Sequence, residues 1–108
     1  MKKCVNAFVS GQVQGVGFRY YVNKMARRYN LTGWVRNLSD GRVEIMAEGE
    51  ERDMDGFLAD IRKGSRWSTV SDVQTEWSEY QRKFRSFEIT GSKEGERRTE
   101  AGDQDGKL

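Results

Sequence analysis

The sequence contains no histidine. That absence removes a histidine base, a histidine nucleophile and a histidine metal ligand from any chemistry the chain can perform. Cysteine is almost absent as well: Cys4 stands alone, so no intrachain disulfide can form. A chain of this kind suits a reducing compartment, and the expected location is cytoplasmic. Residues 1–10 lack the long apolar stretch of a secretory signal, and no apolar run approaches the ~20 residues of a membrane span, so no membrane partner is expected. Nor is there a large excess of one charge. With 19 basic and 17 acidic residues the formal net charge is +2, too little to argue for nucleic acid but compatible with a small anionic substrate.

At 108 residues a single domain is the default. The polar residues are unevenly spread. From Ser92 to Leu108 the chain holds 4 basic and 5 acidic residues and shows no apolar period. The expectation is one domain over 1–91 followed by a disordered charged tail at 92–108.

Within 1–91 the apolar spacing alternates between two periods. Val5, Ala7 and Val9 interleave with Asn6, Phe8 and Ser10, which predicts a strand buried on both faces near Phe8. After a glycine-rich turn, Phe18, Val22, Met25, Ala26 and Tyr29 recur at helical steps, and Asn30 is a suitable stop because asparagine tolerates the left-handed conformation. Strands are predicted over Leu31–Asn37 and Arg42–Glu48, joined by Leu38-Ser39-Asp40-Gly41; Asp-Gly between alternating apolar residues is a hairpin signal. Glu51–Lys63 reads as a second amphipathic helix with Met54, Phe57, Leu58 and Ile61 as its stripe. Strands at Val70–Glu79 and Arg85–Thr90 follow. The order strand, helix, strand, strand, helix, strand, with one extra strand, is the α+β, ferredoxin-like βαββαβ sandwich: an antiparallel sheet of four or five strands with two helices on one face.

Two constellations carry chemistry. Gly11-Gln12-Val13-Gln14-Gly15-Val16-Gly17-Phe18-Arg19 joins a strand to a helix. Glycines admit positive φ, so consecutive amides can turn inward and make a concavity for an anion. The helix start adds unpaired N–H groups, and the planar fork of Arg19 suits a phosphate. Alone, such a loop is as well explained by a tight turn beside a solvated arginine, and it matches neither the nucleotide P-loop nor the dinucleotide fingerprint. The second constellation is Gly33-Trp34-Val35-Arg36-Asn37 before the hairpin. The Asn37 carboxamide can accept from a water and donate to a phosphate oxygen; alone, it equally fits a turn cap. The carboxylates at Glu48, Glu50, Glu51, Asp53 and Asp55 read as a solvated loop and helix start rather than a metal site, so no metal and no cofactor are expected.

Together, Gly11-x-Val13-Gln14-Gly15-Val16-Gly17-Phe18-Arg19 and Gly33-Trp34-Val35-Arg36-Asn37-x-x-Asp40-Gly41-x-Val43-Glu44 resemble the two signatures of the acylphosphatase family. The resemblance spans Val5 to Ile89, with the specific motifs in the first half. It implies a ferredoxin-like fold and metal-free hydrolysis of a small-molecule acyl phosphate to a carboxylate and phosphate by a monomer. It also implies that Arg19 and the amides of Gln14, Gly15, Val16, Gly17 and Phe18 hold the phosphoryl group while Asn37 orients the attacking water. The chain departs from the pattern after the second helix, where many relatives carry Gly-Pro and this chain has Gly64-Ser65-Arg66 and no proline anywhere. Related domains begin larger carbamoyl-transfer maturation proteins, which carry cysteine-rich zinc motifs that this sequence lacks. The competing expectation is a ferredoxin-like module that binds RNA or a phosphorylated ligand without turning it over, with Phe8 and Trp34 as stacking platforms.

Overall fold

The computed structural model describes residues 1–91. The tail expected at 92–108 lies outside the described residues. Seven elements run in the order β1 (Lys2–Gln12), α1 (Phe18–Arg28), β2 (Thr32–Asn37), β3 (Val43–Glu50), α2 (Glu51–Lys63), β4 (Thr69–Glu79) and β5 (Phe87–Ile89). They build one five-stranded sheet in the order β4-β1-β3-β2-β5. The first four strands pair antiparallel, as expected. The fifth corrects the all-antiparallel expectation: β5 lies parallel to β2, pairing Gly33 with Phe87 and Val35 with Ile89.

Both helices cover the same face of the sheet, because each contributes one apolar stripe to a single core. Val5, Ala7 and Val9 of β1 and Val43, Ile45 and Ala47 of β3 are fully buried there, against Phe18 and Val22 of α1 and Met54, Phe57 and Ile61 of α2. Asn30 closes α1 at φ 58°, the left-handed conformation its side chain tolerates. Tyr29 then reaches across to α2, its hydroxyl donating to Asp60 Oδ2 at 2.8 Å, while the Tyr21 hydroxyl donates to the Asp60 carbonyl oxygen. After α2 a pair of serines closes the turn: the Ser65 N–H donates to Ser68 Oγ at 2.8 Å.

The other face of the sheet is less open than its sequence pattern suggests. Phe8 is half-buried there, with the Arg42 guanidinium stacked 4.9 Å from its ring. Glu48 departs from the expected solvated loop: it is only 1% exposed. Its carboxylate accepts the backbone N–H groups of Gln81 and Lys83 at 3.0 and 2.9 Å, which pins the crossover between β4 and β5 against the sheet. Removing it leaves two amides to be satisfied by water that must enter a closed region. We expect Glu48→Ala to cost about 3 kcal/mol of stability, since bonds to a charged acceptor contribute roughly 1.5–3 kcal/mol each and do not add fully. Urea unfolding of the variant beside the parent measures this.

Candidate active site

The loop between β1 and α1 and the end of β2 meet at one end of the sheet, where both strands finish. Gly15 and Gly17 sit there at φ 74° and 75°. A Cβ added at either would meet nothing within 4 Å, so the need for glycine is conformational rather than steric. Gly17 is also the residue preceding α1, and it supplies no capping side chain; no acidic residue occupies the first turn. The positive end of α1 is therefore neither capped nor neutralised by its own sequence, the arrangement that favours an incoming anion.

A cleft of about 90 Å³ opens at this point, lined by Val13, Gly15, Gly17, Phe18, Arg19, Tyr20 and Asn37. Of the residues singled out from the sequence, Gly15, Gly17, Phe18, Arg19 and Asn37 are brought together on it. Gln14 and Val16 do not line it: Val16 packs against the core, and the Gln14 side chain turns toward the β2–β3 hairpin. Tyr20, 72% exposed, also lines the cleft.

Arg19 is held from a distance. Its Nη1 donates to the carbonyl oxygen of Thr90 at 2.9 Å, just past the end of β5. Thr90 is itself fixed, since its N–H donates to the Val35 carbonyl at 2.9 Å. The backbone just past this parallel strand thus aims the arginine. One guanidinium donor is used in this way, and the fork has others to offer.

Asn37 is the other distinctive group. Its Oδ1 is buried and has no hydrogen-bond partner among the described residues. Buried acceptors are nearly always paired, so an orphan on a residue that lines the cleft marks Asn37 as a candidate contact for a bound group. The strand that carries it depends on Gly33, whose φ is 143° and where a Cβ would collide with the Met46 carbonyl oxygen of β3. That close approach explains the glycine of the second motif structurally. In the hairpin turn beyond Asn37, the Arg42 backbone N–H and guanidinium bind Asp40, and they hold its carboxyl below the usual carboxylate range.

No carboxylate, lysine or cysteine lines the cleft. Its electrostatics come from one guanidinium, a helix N-terminus and backbone amides, a set that stabilises negative charge and contains no base effective near neutrality. Among the described residues there is no group of three or more Cys, Asp or Glu side chains disposed to hold a metal ion. No helix in that range is long and apolar enough to cross a membrane.

Comparison with known proteins agrees with this arrangement. The family model named Acylphosphatase matches residues 5–89, which includes every residue on the cleft. The chain belongs to the acylphosphatase family. It is 51% identical over 82 residues to an acylphosphatase of Bacillus licheniformis, covering 76% of this chain and 91% of that one. It is 45% identical over 82 residues to an acylphosphatase of Archaeoglobus fulgidus, covering 76% and 91%. The crystal structure of acylphosphatase from Bacillus subtilis superposes with a TM-score of 0.79 at 41% identity, over 83% of this chain and 99% of that one. Acylphosphatase relatives therefore share the described domain along nearly their whole length, and the ferredoxin-like fold is theirs as well.

Proposed function

We propose that this protein is an acylphosphatase that hydrolyses carboxyl-phosphate mixed anhydrides to a carboxylate and inorganic phosphate. The observation that most supports the reading is the convergence of Arg19, the uncapped start of α1 and the unpartnered Asn37 Oδ1 on one cleft. Its size supports it too. At about 90 Å³ the cleft accommodates a phosphoryl group, whereas sites for drug-sized ligands run to roughly 300–1,000 Å³.

In this mechanism the phosphoryl oxygens take hydrogen bonds from the Arg19 guanidinium and from amides of the Gln14–Phe18 loop. Asn37 Oδ1 accepts a hydrogen bond from a water placed opposite the acyl oxygen. The water oxygen bonds to phosphorus as the bond from phosphorus to the acyl oxygen breaks, and the carboxylate leaves with the electron pair. A carboxylate departs without a strong acid, so the protein's task is positioning and charge compensation. With no base on the cleft, the water's proton passes to a phosphoryl oxygen of the substrate. The direct test is phosphate release from benzoyl phosphate by the purified chain, undiminished by EDTA. Metal-independent action predicts full activity in the chelator.

The alternative of RNA binding loses its platforms. The ring of Phe8 has Arg42 over it at 4.9 Å and that of Trp34 has Arg36 at 5.0 Å, so on each a cation already occupies a face on which a base would stack.

The remaining features of the reading are a cytoplasmic monomer whose working unit is 1–91. The single buried cysteine supports the location, and the working unit rests on the Thr90 carbonyl, which holds Arg19 and lies before Gly91. A chain shortened to 1–91 is expected to keep kcat and KM within about 2-fold of the parent, because every residue lining the cleft lies before Gly91. A large drop in either assigns the tail a part in catalysis.

A further inference from the structure

Gln14 lies in the loop that forms the cleft, yet its carboxamide points away from it. Nε2 donates to the carbonyl oxygen of Leu38 and to that of Arg42, each at 2.8 Å. Both partners are acceptors, so the amide orientation is settled by chemistry: only the NH2 group can serve both. These two carbonyls mark the mouth of the β2–β3 hairpin. Each already takes one backbone bond, Arg42 O from the Leu38 N–H at 2.8 Å and Leu38 O from the Gly41 N–H at 3.2 Å. Gln14 occupies a second acceptor direction on each and so fastens the loop across the hairpin's neck, next to Asn37. The Asn37 oxygen has no hydrogen-bond partner of its own among the described residues, so no such bond sets where it sits.

We propose that Gln14 is a positioning residue: it fixes the distance between the phosphate-holding loop and Asn37 by clamping the hairpin mouth. The inference rests on the functional reading above and concerns the side chain, whereas that reading assigns Gln14 only a backbone amide. The clamp acts on the water side of the reaction. The guanidinium is aimed separately, through Thr90, and the helix start does not depend on the hairpin.

The test uses the full chain with Gln14→Met, which keeps the length of the side chain and loses both bonds. Turnover of benzoyl phosphate is expected to fall by about 10-fold or more, in line with the cost of misplacing a reacting group by an ångström or less. Competitive inhibition by inorganic phosphate is expected to stay within about 2-fold, because the anion contacts survive. In an Asn37→Ala background the same change is expected to cost less than about 2-fold in kcat, since a residue that acts through Asn37 has nothing left to act on. Should Gln14→Met fail to fold, Gln14→Asn keeps a neutral carboxamide but draws it back from both carbonyls, with the same expected split. An unchanged kcat overturns the proposal, as do an equal loss in both backgrounds and a phosphate inhibition constant that rises with the loss of turnover. If the parent chain itself releases no phosphate, the functional reading falls and this inference with it.

Discussion

Arg19→Ala is expected to lose both substrate binding and turnover, with kcat/KM down by ~10³-fold or more. A single preorganised donor in a catalytic site is worth roughly 10²–10³ in kcat, and Arg19 adds a full charge and more than one N–H. KM and kcat are both expected to suffer, because in the proposed mechanism the guanidinium contacts the phosphoryl group in the ground state and in the transition state. Arg19→Lys is expected to recover only part of the loss. A lysine keeps the charge but not the fork that can bind Thr90 and a phosphoryl oxygen in fixed relative directions. Steady-state kinetics on benzoyl phosphate, with phosphate as a competitive inhibitor, check all three statements. Unaltered phosphate inhibition in Arg19→Ala would remove the arginine from the site.

Asn37→Ala is expected to behave differently. In the proposed mechanism its oxygen, buried without a partner, holds the water rather than the anion, so phosphate affinity stays largely intact while kcat falls by ~10²-fold or more. The fold is not expected to weaken. Deleting an unpartnered buried oxygen removes a group whose hydrogen-bonding capacity the protein leaves unmet, so thermal stability should hold or rise slightly. Loss of activity with gain of stability is the mark of a group kept for function. Turnover at the parental rate would show that Asn37 has no role in placing the water.

Much of this architecture is legible in the sequence because it is local. Glu51–Lys63 is a helix over the range its apolar stripe, acidic first turn and terminal glycine indicate, and all four stripe residues are buried. Asn30 ends the first helix in the conformation its side chain permits. What escapes is what depends on distant partners. Alternation places Glu44 and Glu48 on the outer face, which reads as solvent. They are 7% and 1% exposed because Glu44 is held by Asn6 and Arg36, and Glu48 by a crossover more than thirty residues later. The parallel docking of β5 escapes for the same reason: three residues carry no signal for the direction of pairing.

The cleft divides along the same line. Its two motifs are continuous stretches, so Arg19, Asn37 and the glycines can be picked out from the chain alone. The groups that aim them are not continuous with them. Thr90 lies 71 residues from Arg19, and its contribution is a carbonyl, which no side-chain pattern reveals. Gln14 is visible as a letter of the first motif, but its carboxamide bonds to backbone 24 and 28 residues away. Reading the motif as a ring of amides therefore locates the anion and overlooks the clamp.

Attack at phosphorus by a water beside residue 37 makes a claim about atoms that isotope labelling can follow. Hydrolysis of benzoyl phosphate in ¹⁸O-water is predicted to place the label in the inorganic phosphate and none in the benzoate. Label in the benzoate would mean that water attacks the carbonyl carbon, and the arrangement of Arg19 and Asn37 around a phosphoryl group would then be the wrong account of the catalysis.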